Sequence, residues 1–100
     1  MNTHSIKRVT IVGEALARER LTQLILETGA HGYTLFPVEG AGARGSRVAD
    51  IAEFTNIQVE IIVPAPVAER LMERLHRDFL PHFTMIVYET DVRVLRPEKF

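Results

Sequence analysis

Apolar and polar residues alternate from Ile6 to Val12, where Val9 and Ile11 are interleaved with Arg8 and Thr10. This is the two-residue period of a half-buried strand, and Gly13 ends it. From Glu14 to Thr28 the period changes: Ala17, Leu21, Leu24, Ile25 and Thr28 recur at helical spacing, with Glu14 in the first turn and Gly29 placed to close the helix. After the turn Gly29-Ala30-His31-Gly32, the β-formers Tyr33-Thr34-Leu35-Phe36 predict a second strand, which Pro37 confines to an edge or a bulge. A third strand is predicted from Thr55 to Val63, where Ile57, Val59, Ile61 and Val63 alternate with Asn56, Gln58 and Glu60. Pro64-Ala65-Pro66 breaks it and sets up a helix from Val67 to Phe79 whose stripe is Ala68, Leu71, Met72, Leu75 and Phe79. Pro81 stops that helix, and Phe83 to Leu95 predicts a fourth strand, apolar on both faces through Met85-Ile86-Val87-Tyr88.

The order strand-helix-strand, twice over, predicts an α+β ferredoxin-like βαββαβ fold: an antiparallel sheet with both helices on one face. Strands two and four place Thr34, Phe36, Ile86 and Tyr88 toward the uncovered side. That side is only partly polar and is expected to bury against something, for which a second copy of the chain is the economical answer. The connector from Pro37 to Phe54 is far longer than an ordinary hairpin loop, and loops of that length usually carry function or are disordered. Within it, Val48 to Phe54 fits a helical turn or a continuation of the loop equally well.

Composition narrows the classes. A chain of 100 residues, 46% hydrophobic and 25% charged, is expected to form one ordinary globular domain, residues 1–100. The formal net charge of −1 argues against broad electrostatic capture of nucleic acid or anionic membrane, so any anion must be held locally. The same strand order occurs in RNA-binding domains that stack bases on aromatics of strands one and three, but Val9 to Val12 and Ile57 to Ile61 contain none. With no cysteine there are no disulfides and no thiol chemistry, and the cytoplasm is the expected address.

The segment with most chemistry is Gly40-Ala41-Gly42-Ala43-Arg44-Gly45-Ser46-Arg47. Its glycines permit positive φ and close backbone approach, and two arginines supply forked donors suited to phosphate or carboxylate. The spacing matches neither a Walker loop nor a dinucleotide fingerprint, because the chain runs on toward another strand. His4, His31, His76 and His82 are scattered and lack metal-site spacing, and Ser46 has no histidine near it in sequence. Glu69, Glu73 and Asp78 read as the wet face of the second helix, whereas Glu14 is either a polar contact at the sheet end or a charge favouring a helix start.

Gly29-Ala30-His31-Gly32-Tyr33-Thr34, then Gly40-x-Gly42-x-Arg44-x-x-Arg47 six residues on, then Asn56 opening the third strand, together resemble the PII signalling superfamily. The likeness is to its bicarbonate-related PII-like branch, that of SbtB and the carboxysome-associated PII proteins, and it includes Ile11-Val12-Gly13-Glu14, Val94-Leu95 and Phe100. The resemblance implies a homotrimeric, non-enzymatic regulator with an adenine nucleotide between neighbouring subunits and a T-loop corresponding to residues 37–54. It makes Thr34, Gly40, Ala41, Gly42, Arg44, Arg47, Asn56 and Ile62 the candidate nucleotide- or anion-binding residues, with Glu14, Phe83 and Thr84 at the margin. Thr34 is then expected in the cleft, and Gly40 and Gly42 to turn backbone N–H groups to phosphate, as an anion nest does.

Two departures shape the expected ligand. The connector lacks the modified-tyrosine context of the nitrogen-sensing members, and His82-Phe83-Thr84-Met85 lacks the glycine and lysine of the ATP-coordinating type. ADP, AMP or cAMP is therefore expected rather than Mg-ATP with 2-oxoglutarate, with bicarbonate as co-ligand and a transporter or carbon-fixation protein as partner. An ACT-like regulatory oligomer that binds an amino acid or a metal remains the alternative. An acylphosphatase-type hydrolase would need an arginine loop directly after strand one, where Gly13-Glu14-Ala15 supplies none.

Overall fold

The computed structural model describes residues 1–42, 45–46 and 56–100. Strands β1 (His4–Glu14), β2 (Thr34–Val38), β5 (Asn56–Val63) and β6 (Met85–Val94) form one sheet in the order β2-β5-β1-β6, and every neighbouring pair is antiparallel. Helices α1 (Arg18–Glu27) and α2 (Ala65–Asp78) are the two crossovers, and a short hairpin, β3 (Ala41–Gly42) with β4 (Gly45–Ser46), stands apart. The fold is the expected ferredoxin-like one.

The register sorts the side chains by parity. Val9, Ile11, Ile57, Val59, Ile61 and Val63 face the helices and are fully or almost fully buried against Leu21, Leu24, Ile25, Ala68, Leu71, Leu75 and Phe79. Both helical stripes read from the sequence are thus core. Alternate positions form the opposite face: Phe36, Gln58, Val12 and Ile86 make one cross-strand row, and Thr34, Glu60, Thr10 and Tyr88 the next. No helix covers this face, and Ile86 and Tyr88 are left 61% and 45% exposed.

Three boundaries differ from the sequence expectation. Strand β1 runs through Gly13 and Glu14, because as a central strand it pairs on both sides and Glu14 is held opposite Asn56 with extended φ −78° and ψ 136°. Glu14 is therefore not in a helical first turn: a 3-10 turn over Ala15–Ala17 intervenes, and Glu19 is the acid in the first turn of α1. Helix α2 starts at Ala65, ahead of the predicted Val67, since the N–H groups of Val67 and Ala68 both reach the Pro64 carbonyl at 3.0 Å. Strand β6 starts at Met85, leaving Phe83 and Thr84 outside it, because His82 and Phe83 donate their N–H groups back to the Phe79 carbonyl.

The connector also differs. Pro37 and Val38 belong to β2, an edge strand that tolerates a residue without an N–H, and Ala41 pairs with Ser46 and Gly42 with Gly45. The alternatives weighed for Val48 to Phe54 lie outside the described residues, as do Arg44 and Arg47.

Candidate functional site

Candidate residues gather at two places along β5. At the end from which the connector leaves, Asn56 sits between Val38 of β2 and Glu14 of β1, and Gly40 follows two residues after Val38. Next to Glu14, Gly13 lies opposite Met85; a Cβ on Gly13 would stand 3.0 Å from the Met85 Cβ and 3.7 Å from the Thr84 carbonyl oxygen. The bare glycine lets the approach to β6 come close and brings Thr84 to the same sheet end. Asn56 and Glu14 are half-buried, while Gly40 and Thr84 are exposed.

Phe83 sits on the helix side of that end. Its ring packs against Phe79 at 5.7 Å between centroids, and the Arg20 guanidinium lies 5.8 Å from its centre, so an aromatic pair and a cation-π contact fix it to the core. Gly40 does not take the left-handed conformation expected of the glycine run. Among the described residues the glycine at positive φ is Gly29, and a side chain at Gly40 would meet nothing within 4 Å. Backbone atoms of Ala41 and Gly42 are engaged with Ser46 and Gly45 in the hairpin.

The second place is a cavity of about 230 Å³ between the turn before β2 and the far half of β5. Thr34 and Ile62 line it together with His31, Tyr33, Glu60 and Phe100. Of these, the sequence reading makes Thr34 and Ile62 site candidates; His31, Tyr33 and Phe100 enter it among the residues that carry the resemblance, and Glu60 as a polar strand position. Thr34 and Glu60 are direct cross-strand partners, and Gln58 Nε2 donates to Glu60 Oε1 at 3.1 Å. The C-terminal 3-10 turn Pro97–Lys99 forms one wall, tied down where His31 Nδ1 meets the Lys99 carbonyl oxygen at 3.2 Å. A carbonyl only accepts, so Nδ1 is the donor in this contact. The glycine-flanked His31 was the available signal for this contact, but its partner is 68 residues away.

The two places do not meet in one subunit. Asn56 and Ile62 are six residues apart on one straight strand, about 20 Å at the usual rise. A larger cavity, about 460 Å³, lies between α1 and α2, but Arg74 and Arg77 there are engaged by Asp78 and no candidate residue lines it. No group of His, Asp and Glu suited to a metal ion occurs among the described residues.

A signaling protein from Thermus thermophilus, described as PII-like, superposes with a TM-score of 0.87 at 42% sequence identity, over 100% of this chain and 99% of its own. CPII from Thiomonas intermedia K12, described as a nitrogen regulatory PII-like protein and solved with ADP, AMP and bicarbonate, gives 0.90 at 25% identity over 99% of this chain and 96% of its own. The same CPII with ADP, AMP and acetate gives 0.86 at 26% identity over 100% and 98%. The family model for the nitrogen regulatory protein P-II matches residues 6–99, and with this extent and this fold the chain belongs to the P-II family, beside its PII-like members.

Proposed function

We propose that this PII-like regulatory protein binds an adenine nucleotide in clefts between the subunits of a homotrimer and signals inorganic-carbon or energy status through residues 37–54. ADP, AMP or cAMP is the ligand rather than Mg-ATP with 2-oxoglutarate, and bicarbonate is its co-ligand. The observation that carries this reading is the separation of the candidate residues along β5, with Thr34 and Ile62 in a cavity and Gly40, Asn56 and Thr84 at the far sheet end. A ligand that uses both groups draws them from two copies, and the exposed Ile86 and Tyr88 supply a face on which copies can pack. The nucleotides and bicarbonate bound by CPII support the ligand class.

In this reading Thr34 and Ile62 receive the base, while backbone N–H groups of Gly40, Ala41 and Gly42 approach the phosphates. Arg44 and Arg47 bind phosphate or organise the loop, and Asn56, Glu14, Phe83 and Thr84 border the same end. Ordering the connector costs about 1–2 kcal/mol per residue, so only ligand states that add charge-assisted contacts hold it in one shape. A ligand then signals by its differential affinity for the two loop states, and a transporter or carbon-fixation protein is the class of partner that reads them.

Calorimetry with ADP, AMP, cAMP and ATP, each with and without bicarbonate, tests the reading. Saturable binding of at least one nucleotide below millimolar concentration is expected, and Arg44→Ala should weaken it by about 1.5–3 kcal/mol. Silence from every nucleotide while amino acids raise the melting temperature would replace this reading with the ACT-like one.

A further inference from the structure

On the sheet face left open by the helices, three polar atoms are buried and without a hydrogen-bond partner: Arg8 Nε, Thr10 Oγ1 and Thr90 Oγ1. The register makes them neighbours, since Arg8 is directly opposite Thr90 and Thr10 is the next residue of β1 on the same side. Buried polar groups are normally bonded, so such a cluster calls for a cause. The middle of this face is otherwise apolar or neutral, with Ile62 beside Arg8, and Val12, Ile86 and Tyr88 further along. It holds two opposite charges, Arg8 and Glu60.

Within one subunit those charges do not meet. Glu60 stands opposite Thr10 and Arg8 opposite Ile62, a diagonal relation, and Glu60 is bonded to Gln58, on the side away from Arg8. An amide donor leaves the negative charge of Glu60 uncompensated. Glu14, the other acid on this face, lies at its connector end and already has an interaction partner. Covering the face with a second copy would strip water from both Arg8 and Glu60, and a buried charge without a counter-charge is among the costliest features an interface can contain.

We infer that Arg8 of one copy pairs with Glu60 of the partner subunit when two copies meet across this face. The inference rests on the self-assembly proposed above. Because Glu60 lines the cavity with Thr34 and Ile62, the pair also gives that cavity a guanidinium from the neighbour, so the cleft is incomplete in a lone subunit.

Sedimentation of the 100-residue chain over a range of concentrations tests it. Arg8→Glu and Glu60→Arg should each weaken assembly about tenfold or more, and the double charge exchange should restore it to within about threefold of wild type. Where a reversed variant does not fold, Arg8→Gln serves instead: it should weaken assembly, and adding Glu60→Gln should recover it, because no lone charge is then buried. Single variants that assemble as wild type, or a double variant no better than the singles, would overturn the pair while leaving self-assembly intact. A wild-type chain that stays monomeric at every concentration would overturn the self-assembly reading, and the pair with it.

Discussion

At Gly29 the chain leaves α1 with φ 105°, a conformation that L side chains rarely adopt. The nearest atom to a Cβ there is Arg70 Nη2 at 3.5 Å, ordinary contact, so the demand for glycine is conformational and not steric. Gly29→Ala should cost about 1–2 kcal/mol and lower the melting temperature by roughly 5–10 °C at fixed protein concentration, as followed by circular dichroism. Asp78 makes a different residue-scale prediction. Two bonds from Arg77, at 2.8 and 3.0 Å, and one from Arg74 hold its carboxyl well below the ordinary range, at about 2. A depressed carboxyl stabilises the fold above its unfolded pKa and loses that contribution as pH falls through the folded one. Urea unfolding of wild type and Asp78→Asn should therefore differ most near neutral pH, and the gap should close between about pH 4 and pH 2.

Between elements, the junction of α1 with α2 depends on Arg70, whose Nη2 donates to the Thr28 carbonyl at 3.1 Å, a group left over at the end of α1. Arg70→Ala should cost about 1 kcal/mol, read as a lower urea midpoint with unchanged slope. What the sequence makes legible at this scale follows from how far each signal reaches. The alternation in β5 and the stripes of α1 and α2 are local, strong and one-sided, and each predicted core position there is buried or packed against the core. Glu14 misleads because its composition favours a helix start, while its conformation is set by Asn56, far along the chain, across the strand pair. Phe83 looks like a strand residue until the turn after α2 claims its N–H. Of the candidate site, Thr34 and Ile62 are readable as a motif and a strand position. Glu60, His31 and Phe100 join them only through tertiary placement.

For the molecule as a whole, the sheet has one face sealed by helices and one face holding exposed apolar side chains around Arg8 and Glu60. Ile86, 61% exposed in the subunit, sits in the row between Val12 and the outer edge of β6. Ile86→Glu should produce a smaller species by light scattering and remove the concentration dependence of the melting temperature, while the subunit keeps its far-ultraviolet spectrum. The same loss of assembly should abolish nucleotide binding if each cleft draws on two copies.

The clasp between His31 and the Lys99 carbonyl sets a practical condition for such measurements. It anchors Phe100 as part of the cavity wall, so a purification tag or reporter fused after that residue would emerge at the rim of the cleft. Met1, almost wholly solvent-facing at the opposite extremity of the chain, offers a quieter attachment point.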